Sequence, residues 1–380
     1  MRTAFQIEMT LMRTDNVHKG AVAGRTLLRA LSLWLNANDN LPSEVRLSAL
    51  RAVLTINASA SGYLRYDERY GELFFDYETT AENIQIYVST SAVEFDIKHT
   101  PSVEFYHFSW ETEDGTGGGH VALENPDAAS FPLHVIDHGN LASDASILRW
   151  SANPTEIFDN PLWSDPPNHL HSEFPRLLEL LSGVGEGSRF WQAWYQGFLD
   201  GNPLDWELQR RVALIDDAIW DAGPEAVAAE IERIRSLFEL EQEIASLKEQ
   251  LTAVQNTPAA ALIGDNGGPP LEDAPARAFQ TDLALIWKQV EELEEEIAKP
   301  SPSPLQLEKI AKALWDISRR MAAYCGSVAD GMIREGSKEL AKAGAKWTAG
   351  ATAVTVTAQT ESVQSVAKAI WAFVKTLPPG

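Results

Sequence analysis

The chain has 380 residues, of which 31 are Lys or Arg and 54 are Asp or Glu, so its formal charge is −23. Hydrophobic residues make up 44% of it, and this is enough apolar surface to exclude a wholly disordered chain. The acidic balance argues against nucleic acid as a partner, because phosphates are bound by cations. Cys325 is the single cysteine, which excludes an intramolecular disulfide.

Localisation and charge distribution follow from the same sequence. No signal-peptide pattern and no apolar run long enough for a bilayer are found, so a cytoplasmic protein is predicted. Residues 1–304 carry a net charge of −27, whereas residues 305–380 carry +4. All eight histidines precede residue 172, and any imidazole chemistry therefore belongs to the N-terminal half.

The first predicted domain is residues 1–170, a mixed α/β sensing or binding domain. Residues 19–58 predict two helices, the second of which begins with Pro42 and Ser43 as its N-terminal signal. Between Gly71 and Trp110, β-branched and aromatic residues alternate with polar ones, which predicts short strands. Glycine-rich residues 115–119 predict a flexible loop, and further loop is predicted to about residue 170.

Residues 171–222 predict a helical module rich in tryptophan. One helix spans Arg189 to Asp200 and closes at Gly201, and Asn202 with Pro203 is predicted to start the next. The candidate interaction residues here are Trp191, Trp194, Tyr195, Trp206 and Trp220. A small aromatic core is the favoured interpretation of these side chains, and a groove for a peptide or a base is the alternative.

The C-terminal part has the clearest pattern. Gly223 and Pro224 begin a long predicted helix in which Leu240, Ile244, Leu247 and Leu251 follow heptad spacing. We call such a row of apolar residues at heptad spacing a seam. Three more seams recur within residues 283–297, 307–324 and 363–377, and helix breakers lie at 258–275 and 300–304. We therefore predict a long-helix hairpin at 223–299 and basic amphipathic helices at 305–380. The expected fold class is α+β, predominantly helical, with a heptad-patterned bundle or coiled coil.

Candidate chemistry is sparse in this sequence. His134 with His138, and His169 with His171, form two weak candidate metal-ligand pairs, but no third ligand follows at a fixed spacing. No nucleophile motif or cofactor motif is present, so no catalytic or cofactor-binding residue is assigned. The sequence favours a non-catalytic protein over an enzyme.

Basic side chains on the third seam offer a different kind of site. Lys309, Lys312, Arg319 and Arg320 lie in one amphipathic stretch that could contact an anionic membrane surface. The same cations could instead dock on the acidic residues 291–296 of this chain. Docking within the chain is the favoured interpretation, because it needs no further partner.

The amino-acid sequence of residues 190–231 is distinctive. It includes FWQAWYQGFLDGNPLDWEL at 190–208, VALIDDAIW at 212–220 and GPEAVAAEI at 223–231. This block resembles a module shared by a set of uncharacterised bacterial proteins, in which an Ile-Gly-His-Asn-Gly-Gly-Pro-Pro turn follows. Here the turn spans residues 263–270 and has Asp265 in place of that histidine. The resemblance implies a modular architecture without a known activity, and it transfers no catalytic residue.

Three functional hypotheses follow from these patterns. The first is a non-catalytic assembly protein that forms homo-oligomers through its C-terminal heptad helices and has room for a protein partner. The second is a membrane-acting effector of a bacterial conflict or anti-phage system, using residues 305–380 at the inner face of the membrane. The third and weakest is a metal-dependent hydrolase that uses the four N-terminal histidines.

Overall fold

The computed structural model describes a predominantly helical protein. Its described residues are 21–22, 24–29, 31, 43–61, 74–79, 84–89, 93–99, 104–111, 118–125, 143–144, 146–147, 153–163, 188–255, 274–339 and 348–378. They divide into two compact units, residues 1–231 and 232–380. The turn at 263–270 lies outside the described residues, so its predicted conformation stays a prediction. No helix among the described residues combines the length and apolar character needed to span a membrane.

The described part of the first unit begins with helical residues 21–22, 24–29 and 31, here called the N-terminal segment. Helix α1, Ser43–Ala60, follows. α1 begins at the serine that the sequence predicts near its start. The two helical stretches approach closely at Gly24, where an added Cβ would lie 2.5 Å from Oδ1 of Asn57. Asn57 Nδ2 donates to the carbonyl of Val53 at 2.8 Å. A glycine at position 24 therefore permits the close approach of the N-terminal segment to the Asn57 side chain of α1.

A five-stranded antiparallel sheet follows in the order β1 to β5. Its strands are Phe74–Thr79, Ile84–Ser89, Val93–His99, Glu104–Glu111 and Gly118–Asn125. The first four lie where the alternating pattern predicts strands. The flexible-loop prediction for residues 115–119 is wrong at its C-terminal end. Gly118 and Gly119 belong to β5 and pair there with Glu111 and Trp110 of β4. Pairing with β4 overrides the low strand propensity of glycine.

The stretch predicted as loop before residue 170 also contains ordered backbone. Residues 154–159 form a 3₁₀-helix, Pro154–Asp159, and the side chain of Asn153 caps it by accepting from Thr155 N at 3.1 Å. Residues 143–144 and 146–147 are helical. An asparagine cap followed by proline is a local helix-start signal, and the loop prediction overlooked it.

In the Trp-rich segment, the described residues 188–222 form three short helices: α2, Ser188–Asp200; α3, Trp206–Ala213; and α4, Asp217–Asp221. Gly201 ends α2 with φ +68°, as predicted. The start of α3 differs from the predicted one at Asn202 and Pro203. Asp205 is the N-cap, since its carboxylate accepts from Glu207 N at 2.8 Å and from Leu208 N at 3.4 Å. A charged cap at the helix N-terminus thus fixes the start.

Four long helices complete the chain: α5, Pro224–Gln255; α6, Ala274–Ile297; α7, Pro304–Glu339; and α8, Thr348–Val374. The boundary between the two units falls inside α5. The four predicted seams supply one apolar core of the second unit, which includes Leu247, Val290, Leu314 and Ile370. The heptad positions therefore face one another within a single chain.

The turn between α6 and α7 is held by a carboxylate. Ser303 N donates to Oε1 of Glu296 at 2.7 Å, and Lys299 Nζ donates to its Oε2 at 2.5 Å. In a capping box, the neutral side chain of Gln306, three residues after Ser303, would accept from this N–H instead. A buried carboxylate is the stronger acceptor for that N–H, and the bonds from Lys299 and Ser303 lower the pKa of Glu296.

Candidate functional site

The predicted interaction tryptophans form the centre of an aromatic block on α2. Trp191, Trp194 and Tyr195 are each no more than 1% exposed. Trp191 meets Trp194 edge to face, with ring centroids 5.6 Å apart, and Trp194 meets Phe198 in the same way at 5.6 Å. The 3₁₀-helix extends the block, since Phe158 lies 5.7 Å from Phe198 and 5.0 Å from Trp206. Such edge-to-face contacts favour a rigid core.

The polar atoms of Trp194 and Tyr195 form hydrogen bonds inside the protein. Trp194 Nε1 donates to Oε1 of buried Gln209 at 2.9 Å, and Gln209 Nε2 donates to the carbonyl of Leu204 at 2.6 Å. Tyr195 Oη donates to the carbonyl of Leu28 at 3.2 Å, which ties α2 to the N-terminal segment. These bonds leave the block little polar capacity for a ligand, which favours the core interpretation over a groove.

Trp220 lies outside the aromatic block and contacts other residues of the same unit. Its Nε1 donates to the carbonyl of Ile215 at 3.1 Å. The guanidinium of Arg51 on α1 lies over its ring at 4.7 Å from the centroid and pairs with Asp217. A cation over an indole face, combined with an ion pair, fixes α1 against α4.

The most unusual chemistry of the unit is a buried cluster of two arginines and one aspartate. Arg25, Arg29 and Asp144 are each no more than 2% exposed. Arg25 Nε donates to Oδ1 of Asp144 at 3.0 Å, whereas Arg29 contacts both carboxylate oxygens, at 2.7 and 3.1 Å. Two guanidinium groups and one carboxylate leave a formal charge of +1 inside the protein.

Backbone carbonyls of the 3₁₀-helix and of the residues that follow it complete the shell of these arginines. Arg25 donates to Ile157 O at 2.8 Å and to Asn160 O at 2.8 Å, and its Nη2 donates to Pro161 O at 2.6 Å. Arg29 Nε donates to Leu162 O at 2.9 Å. Burial lowers the pKa of Arg25, and Asp144 opposes this shift. The arginines therefore join the N-terminal segment to two segments that lie at least 115 residues later in the sequence.

A cavity of about 170 Å³ adjoins this cluster. Arg25, Arg29, Asp144 and Trp163 line it, and the remaining lining residues are Ser143, Ile147, Asn160 and Pro161. Trp163 is 5% exposed, and its Nε1 is buried without a hydrogen-bond partner among the described residues. Arg29 lies against the ring of Trp163, 5.8 Å from the centroid.

Sequence reasoning missed Arg25, Arg29 and Asp144. A signal was available, because the two arginines lie one helical turn apart in a stretch rich in Ala, Val and Leu. Two cations on one face of an otherwise apolar helix predict a buried partner. The partner itself has no local signal, since Asp144 lies 119 residues from Arg25.

In the second unit, the predicted seam residues are buried. Leu240, Ile244, Leu247 and Leu251 are each no more than 3% exposed and belong to its core. A separate contact joins α6 and α7, where Nη2 of exposed Arg320 donates to Oδ1 of buried Asp282 at 2.7 Å.

The remaining predicted basic residues, Lys309, Lys312 and Arg319, are exposed on α7. Docking of the basic residues was predicted on the acidic residues 291–296 of α6. Arg320 contacts α6 at Asp282 instead, outside that range. Lys248 of α5 contacts that range, at Glu294 Oε1 and 2.8 Å.

The four candidate metal-ligand histidines, His134, His138, His169 and His171, lie outside the described residues. Within the described ranges, no group of three His, Cys, Asp or Glu side chains could hold a metal ion. None of the known protein-family models, curated proteins or solved structures matches this chain.

Proposed function

We propose that this protein is a non-catalytic interaction protein that assembles with a second copy of itself through its C-terminal helical unit. The observation that carries this proposal is a row of exposed side chains on α7, here called the α7 row. It comprises Leu305, Lys309, Lys312, Asp316 and Arg319. The row steps by four, three, four and three residues, so its members share one side of the helix.

The composition of the α7 row suggests what could cover it. Leu305 is 70% exposed, a high value for a leucine in a folded helix. Among the described residues, no ion pair joins Lys309, Lys312 or Arg319. An acidic surface with a small apolar contact would complement such a row.

A second copy of the chain carries a surface of that kind. Glu291 and Glu295 are exposed on α6. In a two-fold dimer, the α7 row of each copy would meet α6 of the other, because isologous interfaces use both patches twice. Exposed ion pairs contribute about 0.2–1 kcal/mol each, so we propose a weak, salt-sensitive association.

The finer features of the fold belong to this proposal. The seams close within one chain, and we therefore place the contact between copies on exposed faces rather than on the seams. We infer that the four long helices interlock as in a coiled coil. We also infer that the first unit combines its helices and its sheet as an α+β domain, in keeping with a sensing or binding role.

Sedimentation velocity over a range of protein and salt concentrations tests the assembly. We expect a dimer at about 0.05 M salt that dissociates toward 0.5 M, since the Debye length shortens severalfold over this range. The double variant Lys309→Glu/Lys312→Glu should be monomeric under both conditions. Its matched control, Lys368→Glu/Lys375→Glu, makes the same charge change at an exposed residue of α8 and at the exposed residue that follows this helix, and it should still dimerise. A monomeric parent protein at every concentration, or equal loss in both variants, would overturn the proposal.

A membrane surface is the second candidate, favoured by the same cations of the α7 row. Each cation near an anionic bilayer adds about 1 kcal/mol of attraction, which would suit a peripheral effector at the inner face of the membrane. Co-sedimentation of the full chain with vesicles containing phosphatidylserine distinguishes the two candidates. Binding that disappears in Lys309→Glu/Lys312→Glu, together with a monomeric parent protein, would favour the membrane. Dimerisation without vesicle binding would support assembly.

A further inference from the structure

The cavity beside Arg25 and Arg29 has the features of a binding site for a negatively charged group. Its walls contain two guanidinium groups and one carboxylate, so the lining keeps a formal charge of +1. An unbalanced buried charge is unfavourable unless a partner or solvent compensates it. An anion in the cavity would provide that compensation.

Asp144 does not cancel this attraction. Its two oxygens accept three hydrogen bonds, one from Arg25 Nε and two from Arg29. Asp144 offsets one of the two guanidinium charges, so the three described side chains of the cluster together carry a formal charge of +1. The backbone carbonyls at residues 157 and 160–162 solvate the guanidinium groups, but they carry no net charge.

Hydrogen-bond donors at the cavity remain available. Trp163 Nε1 is a buried donor without a partner in the described part of the chain. Of the two hydrogens on Arg25 Nη2, one goes to Pro161 O, and no second acceptor for this nitrogen is found among the described residues. A buried indole N–H without an acceptor destabilises the folded state, and a bound acceptor would remove that penalty.

The size and access of the cavity suit a small ligand. Its volume of about 170 Å³ far exceeds the 10–15 Å³ that one water requires. Ser143 and Asn160 on its lining are partly exposed and Pro161 is exposed, so the cavity has a solvent-facing rim. A phosphate or carboxylate group with a few waters would fit.

We propose that this cavity binds a small oxyanion, a phosphate or a carboxylate group, between Arg25, Arg29 and the indole N–H of Trp163. The oxyanion accepts from Trp163 Nε1 and from the remaining hydrogen of Arg25 Nη2, and it balances the surplus charge of the cluster. This site lies in the first unit and is independent of the proposed assembly through the second.

Thermal unfolding in the presence of defined anions tests the site. Inorganic phosphate, a phosphate monoester and acetate are each compared with chloride at equal ionic strength and at low millimolar concentration, where general salt effects on burial are small. A ligand that binds only the folded state raises the melting temperature. We expect at least one of the three to do so, and the strongest identifies the source of the oxyanion. No shift with any of them overturns the proposal.

Trp163→Phe separates the site from general stability, because it keeps an aromatic ring beside Arg29 and removes the donor. We expect it to lose most of the anion-dependent shift, with affinity lowered about tenfold or more, as expected for a bond to a charged acceptor. The matched control is Trp220→Phe, which also removes an indole donor in the same unit, the one bonded to Ile215. It should melt lower in chloride yet keep the full shift. Equal shifts in Trp163→Phe and the parent protein would refute the site.

Asp144→Asn provides a second readout. It raises the formal charge of the cluster from +1 to +2, so a folded variant should gain more from the oxyanion than the parent protein does. A smaller gain contradicts the proposal. If this variant does not fold, ¹⁵N-tryptophan spectra of the parent protein decide: the indole signal missing in Trp163→Phe must move on addition of the anion, and a stationary signal overturns the site.

Discussion

Gly201 ends α2 at a point where no side chain fits. Its φ of +68° is unfavourable for residues with a Cβ. An added Cβ would lie 2.6 Å from Asn160 C and 2.7 Å from Pro161 N. Both are main-chain atoms, so only a shift of the segment bound by Arg25 would relieve the overlap.

Gly223 provides a matched control for Gly201→Ala. It has φ +98°, and an added Cβ there meets no atom within 4 Å. The backbone penalty alone is about 1–2 kcal/mol, and we expect this loss of unfolding free energy for Gly223→Ala. Overpacking adds about 1–3 kcal/mol, so Gly201→Ala should lose about 2–5 kcal/mol.

Equilibrium urea unfolding, followed by tryptophan fluorescence, measures both variants on the same footing. Both glycines lie in the first unit, so one transition reports on each. Hydrogen exchange should also increase over residues 153–163 in Gly201→Ala and stay unchanged there in Gly223→Ala. Losses that agree within about 0.5 kcal/mol would refute the clash as the source of the larger effect.

Further predictions concern the core, a surface carboxylate and the aromatic block. Leu314→Ala should lower the free energy of unfolding by about 2–5 kcal/mol. Leu305→Ala removes an exposed side chain and should change the free energy of unfolding by less than about 0.5 kcal/mol. Chemical denaturation measures both variants. Hydrogen bonding from Arg210 lowers the pKa of Glu207 to about 2. Its stabilising charge is therefore complete above the unfolded pKa and is lost as the pH falls toward 2, so thermal melts from pH 5 to 2 should decline less steeply in Glu207→Gln. Gln209→Leu leaves the indole N–H of Trp194 without its acceptor and should cost about 1–3 kcal/mol, and an unchanged melting temperature would contradict that role.

Heptad spacing predicted which residues of the second unit are buried, but not what covers them. Leu240 and Leu247 lie in the core because a repeat of 3.5 residues keeps one helix face apolar, and that information is local. The periodicity is the same whether the covering helix belongs to the same chain or to a second copy. Here Val290 and Leu314 share that core, so the partners are internal.

Local patterns fail where distant residues decide the structure. Gly118 and Gly119 are strand residues because β4 pairs with them, although their composition predicts a loop. Arg25 and Asp144 meet across 119 residues, and no short-range spacing encodes that contact. The candidate site in the first unit could therefore be found only from the three-dimensional structure. The aromatic face of α2, in contrast, could be predicted from the spacing of Trp191 and Trp194 in the sequence.

The separation between Arg25 and Asp144 has a consequence for synthesis on the ribosome. At 5–20 residues per second, the carboxylate follows Arg25 by about 6–24 s. During that interval the two arginines and the apolar residues around them lack their native partner, and the sheet residues emerge first. The first unit must therefore close late, after a wait that is long compared with helix formation. A nascent chain stalled before residue 144 should be especially susceptible to chaperone binding or proteolysis.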